Sequence, residues 1–237
     1  IAATPVEMYD VLSPAVLLQH LAQYSNFTLG TQQDASECFV HLCRAAPCLA
    51  AVCDSGVARA IDKVVLCRAG VLAQTAAAAT PVDMCAEIVH ATTSDTPLQR
   101  FPPALVLQFE TTYEQGDEVF WIDAPVAWRS TSVTLMSSDA ARLSAEYVVH
   151  AYLVHCHRTD VPVQDGICGG HYIAYFQHDG AWYEANDEMV TPLEAPPSVW
   201  PYLVFLCRAT DMPMHSLGLV AARVQKSVHD HGRHGQT

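Results

Sequence analysis

The sequence predicts an α+β protein with helices gathered near the start and strands in the second half. Three observations carry this. Capped apolar runs at helical spacing extend to Pro47, short apolar and aromatic runs follow from Ala104 onward, and Asp179-Gly180 separates two of those runs as a hairpin turn would.

The elements follow in order. Ser13-Pro14 is a cap followed by a first-turn proline, and Leu17, Leu18 and Leu21 then form one apolar face ending near Ser25-Asn26. After a loop through Gly30, Thr31 is the expected cap of a second helix. Asp34 and Glu37 fall in its early turns, and Phe39, Val40 and Cys43 line its inner face as far as Pro47. Between residues 48 and 100 the pattern is weaker: Val64-Val65-Leu66 suggests a strand, and Ala76 to Ala79 reads as a short helix or a spacer. Leu105 to Phe109, Val119 to Ile122, Tyr147 to Cys156, Tyr172 to Gln177, Trp182 to Glu184 and Trp200 to Cys207 read as successive strands. From Ala209 to Thr237 the chain is polar, His-rich and aperiodic, which predicts a frayed tail.

Twelve Lys plus Arg against 25 Asp plus Glu give a formal charge of −13, which disfavours nucleic acid and anionic membrane surfaces as partners. No apolar run approaches the ~18 residues of a membrane span, and a soluble globular protein is expected. The nine cysteines include no C-x-x-C pair, so neither a structural zinc site nor a disulfide framework is predicted, and a reducing, intracellular setting in cytoplasm or nucleus fits best. Cys38, Cys43, Cys48 and Cys53 recur every five residues. On a helix such neighbours diverge by about 140°, so they read as separate buried thiols rather than one site.

The chemistry concentrates in the predicted hairpin. Gly169-Gly170-His171-Tyr172 enters its first strand and Asn186-Asp187 follows its second, so antiparallel pairing can bring His171 and Asn186 within about 5 Å. A side-chain amide there would fix the imidazole tautomer and leave the other ring nitrogen as a base. The two glycines would leave room for an extended backbone. From the residues alone, a structural histidine at a hairpin mouth is the plainer reading.

Gln32-Gln33-Asp34-Ala35-Ser36-Glu37-Cys38-Phe39 resembles the Q-Q-D-A-x-E-F helix of the ubiquitin-specific proteases, the papain-like deubiquitinases. Gly170 to Tyr175 and Trp182 to Val190 resemble that family's histidine box. Pro103 to Phe109 is similar to its L-P-x-V-L-x-L strand, and Tyr202 to Phe205 to its closing strand. His155 matches the histidine that ends the strand before the histidine box.

The resemblance implies a papain-like cysteine protease fold with the following organisation: a partial catalytic domain over residues 1–208, made of a helical thumb remnant (1–47), a reduced fingers-like region (48–100) and a β-rich palm with the histidine box (101–208), and then the tail (209–237). It implies His171 as general base, Asn186 as the residue orienting it and Asp187 as neighbouring polar support. Gly169, Gly170 and Tyr172 are the implied substrate-binding residues. The implied reaction is attack of a cysteine thiolate on the isopeptide carbonyl after ubiquitin's C-terminal glycine, with ubiquitin or ubiquitin conjugates as partners and no cofactor or metal.

Three departures stand beside it. The family's N-T-C-type cysteine box should precede Gln32, yet the 31 residues before Gln32 contain no cysteine. Together with an opening Ile1 rather than Met, this predicts that the 237 residues are the C-terminal two-thirds of a domain. Cys38 gives the order Cys, His, Asn but occupies an inward-facing Phe position. The C-x-x-C pairs of the fingers are missing, and Gln108-Phe109-Glu110-Thr111 replaces a basic strand ending. A catalytically inactive ubiquitin-binding or scaffold module is therefore the alternative.

Elsewhere, His155-Cys156-His157 places two imidazoles on one strand face, although no third ligand lies nearby in sequence and a structural histidine is the plainer reading. His215, His229, His231 and His234 are assigned no function. Trp182 and Tyr183 are read as aromatics that position the hairpin.

Overall fold

The computed structural model describes residues 34–45, 47–56, 64–67, 81–95, 97–115, 118–137, 143–157 and 170–211. The expected helix around Leu17, the cap Thr31, the Ala76 to Ala79 run, Gly169 and the tail beyond residue 211 lie outside them.

Helix α1 (Ala35–Ala45) is capped by Asp34, whose Oδ1 accepts the Glu37 backbone N–H at 2.9 Å. Asp34 therefore begins this helix rather than sitting within its first turn, because a short carboxylate reaches the orphan amide three residues on. Pro47 ends the run and opens α2 (Pro47–Val52), where its fixed φ and missing N–H suit a first helical position. Val40 and Cys43 are buried, as their spacing predicts.

Among the described residues twelve strands follow: β1 (Val64–Cys67), β2 (Val82–Asp83), β3 (Ala104–Phe109), β4 (Thr112–Gln115), β5 (Glu118–Trp121), β6 (Val126–Ala127), β7 (Ser132–Met136), β8 (Ser144–His157), β9 (Gly170–His178), β10 (Ala181–Asn186), β11 (Met189–Leu193) and β12 (Leu203–Arg208). A short helix α3 (Met84–His90) is capped by Asp83 and runs into a π-helical turn at Ala91–Asp95. Eight strands build one sheet in the order β1-β3-β12-β8-β9-β10-β11, with β7 alongside β8. β1 pairs parallel with β3, so the segment predicted as fingers-like contributes a strand to the palm's sheet. The other pairings in that sheet are antiparallel.

The β9–β10 turn forms where Asp179-Gly180 places it. Both central residues have positive φ, 48° and 77°, which an Asp-Gly pair adopts at low cost and which matches the strands' twist.

Apolar layers cover both faces of the sheet. On one, Leu105, Leu107 and Phe109 of β3, Tyr147, Val149 and Tyr152 of β8, Tyr175, Trp182, Val204 and Leu206 pack with Met84 and Ile88 of α3. On the other, Val106, Tyr202 and Leu203 meet Val40 of α1 and Cys53 just past α2, with Phe39 edge-on to Phe205 at 5.7 Å. β3 alternates between the layers, which explains why Leu105 to Leu107 reads as an unbroken apolar run.

Among the described residues, no helix is long and apolar enough to cross a membrane.

Candidate active site

His171 and Asn186 meet at the end of the sheet. His171 Nε2 lies 2.7 Å from Asn186 Oδ1. The contact is diagonal rather than directly across. In the β9–β10 register Ala185 faces Ala174, which puts Asn186 level with Ile173, two residues past His171 on the same face. The hairpin pattern predicts the two residues side by side; the register is offset by two residues and the contact is made on the diagonal.

With Asn186 Oδ1 accepting, Nε2 carries the proton and Nδ1 holds the free lone pair. The His171 side chain is 43% exposed. Asp187 follows in the β10–β11 turn with φ 52°. Its Oδ2 lies 3.9 Å from His171 Nε2 and its side chain is 79% exposed, so it adds charge without a hydrogen bond. Asn186, Asp187, Glu188 and Met189 line an open hollow at the β10–β11 turn.

Gly170 is needed for a reason other than substrate room. A Cβ there would collide with His155 Nε2 and lie 2.8 Å from the Cys156 carbonyl oxygen. The His155 ring occupies that space and packs tilted against Tyr172 with centroids 4.7 Å apart. Tyr172 in turn sends its hydroxyl to Asp34 Oδ2 at 3.2 Å. His155 is thus packed between the histidine box and Trp121, while the side chain of His157 lies outside the described residues. Among the described residues, no cluster of three metal-ligating side chains occurs.

Two cysteines bear on the chemistry. Cys38, on α1, has its thiol pushed up by burial and by the Asp34 carboxylate. Cys156 is the direct cross-strand partner of His171, a placement that only the β8–β9 register reveals. Burial and Glu184 push its thiol up as well. Both favour the neutral thiol, the poorer nucleophile.

A polar cluster that sequence reasoning did not find stands on the helix side of the sheet. Asp34 Oδ2 accepts from Tyr202 at 2.6 Å and from Tyr172 at 3.2 Å, while Ser36 donates to Oδ1 at 2.6 Å. Burial raises the Asp34 carboxyl, but the bonds from Ser36, Tyr202, the Glu37 amide and Tyr172 outweigh it and hold the group below the usual carboxylate range. Burial, reinforced by that carboxylate, pushes the phenols of Tyr172 and Tyr202 up.

A mostly antiparallel sheet flanked by helices is consistent with an α+β papain-like fold. The model of the family described as ubiquitin carboxyl-terminal hydrolase matches residues 6–206, and the chain belongs to that family. Comparison with curated proteins gave no match.

Among solved structures, the chain is similar to one from the yeast SAGA DUBm with a mutant Sgf73 (20% identity, TM-score 0.38, 48% of this chain and 25% of that one). It is also similar to one from the SAGA Ubp8/Sgf11/Sus1/Sgf73 DUB module bound to ubiquitin aldehyde (19%, TM-score 0.37, 48% and 26%). A third, an essential yeast splicing factor, is 12% identical with a TM-score of 0.53 over 82% of this chain and 53% of that one, a likeness of fold. The chain spans about a quarter of the SAGA chains and about half of the splicing factor.

Proposed function

We propose that this chain carries the histidine half of a cysteine-type deubiquitinase, which hydrolyses the isopeptide bond after the C-terminal glycine of ubiquitin. The observation that supports this most is the 2.7 Å contact between His171 Nε2 and Asn186 Oδ1, which leaves Nδ1 as the basic atom. In this reading His171 Nδ1 takes the proton of a cysteine thiol, and the thiolate attacks the isopeptide carbonyl carbon. The imidazolium then returns the proton to the departing lysine amine. Water, deprotonated by the same nitrogen, hydrolyses the thioester. Asn186 holds the ring's aim, and Asp187 stabilises the imidazolium from a distance.

The nucleophile in this reading belongs to the cysteine box expected ahead of Gln32, since neither Cys38 nor Cys156 is electrostatically favoured as a thiolate. Ubiquitin would lie over the palm, its basic tail drawn by a chain of formal charge −13. Gly169, Gly170 and Tyr172 would flank that tail, with Gly170 and Tyr172 doing so through the backbone because their other faces are occupied.

The test is covalent labelling of the complete protein by a ubiquitin C-terminal electrophile, together with turnover of a ubiquitin–lysine conjugate. Asn186→Ala is expected to lower kcat by about a hundredfold. Labelling that survives removal of every cysteine ahead of Gln32 would overturn the assignment of the nucleophile. The alternative, a non-catalytic ubiquitin-binding or scaffold module, is favoured by the raised thiols of Cys38 and Cys156. It predicts ubiquitin binding with no labelling at all.

A further inference from the structure

The Asp34 cluster joins parts of the chain that share no local sequence. Asp34 precedes α1, Tyr172 lies in β9, Tyr202 leads into β12, and Gln108 lies in β3. Gln108 Nε2 donates to the Tyr202 hydroxyl at 2.9 Å. With that oxygen accepting from Gln108, the one phenolic proton of Tyr202 is free to point at Asp34 Oδ2, 2.6 Å away. Ser36 Oγ, 3.1 Å from the same hydroxyl, spends its own proton on Asp34 Oδ1. Gln108 opens the Gln108-Phe109-Glu110-Thr111 stretch that replaces a basic strand ending, and its amide serves this internal bond.

The geometry has a consequence one residue away. Tyr172 directly follows His171, and neighbouring residues of a strand point to opposite faces. Tyr172 is tied on the helix side by its hydroxyl bond to Asp34 and by its ring contacts with His155 and Tyr202, at centroid distances of 4.7 and 5.8 Å. A rotation of the start of β9 about its axis would break these ties and swing His171 away from Asn186.

We infer that Asp34 is a positioning residue: by accepting from Tyr172 and Tyr202 together, it fixes the roll of β9 against α1 and so the aim of the His171 imidazole. The inference concerns the aim of the ring, and it rests on the proposed deubiquitinase reading only for its effect on turnover.

The test uses Tyr202→Phe and Tyr172→Phe, each of which removes a hydroxyl and keeps the ring, with Asp34 left in place to cap α1. The first measurement is the NMR signature of the His171 ring in the full chain, at a temperature where circular dichroism shows each variant folded. The second is the steady-state kinetics of the complete protein bearing its cysteine box. The ring signals of His171 are expected to shift or broaden in both variants. Turnover is expected to show kcat lowered about tenfold for Tyr202→Phe, with KM within about twofold of wild type. Should Tyr202→Phe not fold, Tyr172→Phe, which loses the longer bond, carries the same test.

Unchanged His171 signals in folded variants would overturn the inference, whatever happens to stability. A raised KM at wild-type kcat would also overturn it, because the cluster would then be a binding contact. Shifted ring signals in the variants, beside a complete wild-type protein that has no turnover, would leave the positioning role standing and sink the enzymatic reading alone.

Discussion

The two faces of the sheet are held by different physics. The face under α3 is a broad apolar layer in which Tyr152 meets Trp128, Tyr175 and Trp182 at centroid distances of 5.0, 5.1 and 5.8 Å. The face under α1 and α2 has a smaller apolar patch, and its helix is fastened by one carboxylate shared between two phenols. Apolar burial is non-directional and makes a stiff platform, whereas hydrogen bonds to a carboxylate are directional and fix a register. The residue pair proposed for catalysis sits at the end of the stiff layer, and the residue next to it is tied into the directional one.

Breaking the apolar face has the largest expected effect. Tyr152→Ala leaves a cavity among three aromatic rings and strands the bond now made to the Pro197 carbonyl. A loss of about 4 kcal/mol is expected in urea unfolding, enough to abolish a cooperative transition in a marginal domain. Between the two faces stands Gly170→Ala, whose methyl must displace the His155 ring or the β8 backbone. A cost of about 2 kcal/mol is expected, read as a lowered Tm accompanied by altered His171 ring signals. A variant that keeps both wild-type values would show that His155 yields freely.

The helix face should respond most to acid. Its fastening carboxylate, Asp34, is held below its usual value near 3.8 by the bonds it accepts. A lowered folded value means that the stabilisation is fully present above about 3.8 and disappears as pH falls through the lower folded value. Wild type is expected to lose stability more steeply in that range than Asp34→Asn, measured by denaturant titration at successive pH values. Equal slopes would remove Asp34 from the account of what holds the helix down.

How much of this was readable beforehand depends on how local the cause is. The β9–β10 turn was legible because Asp179 and Gly180 carry their own conformational preference. β3 and β12 were legible as apolar runs, and the His171–Asn186 contact followed from the hairpin, although its diagonal register did not. The cap was missed because Thr31 and Asp34 are both capping residues and only the fold shows which one meets an orphan amide. The Asp34–Tyr202 bond spans 168 positions and the Tyr172 bond 138, and no pattern within one segment encodes such a meeting. The space above Gly170 was visible as a missing side chain, while its occupant, His155, was set by the β8–β9 pairing.

The position of β12 bears on how the domain assembles. It lies between β3 and β8 although it is the last strand among the described residues, and 94 positions separate the bonded Gln108 and Tyr202. β3 and β8 therefore have no shared edge until residues 203–208 have been synthesised and inserted. Helices and the β9–β10 hairpin can form early from local contacts, while closure of the sheet's middle waits on a long loop. Slow folding, dominated by that final insertion, is the kinetic signature such a topology entails.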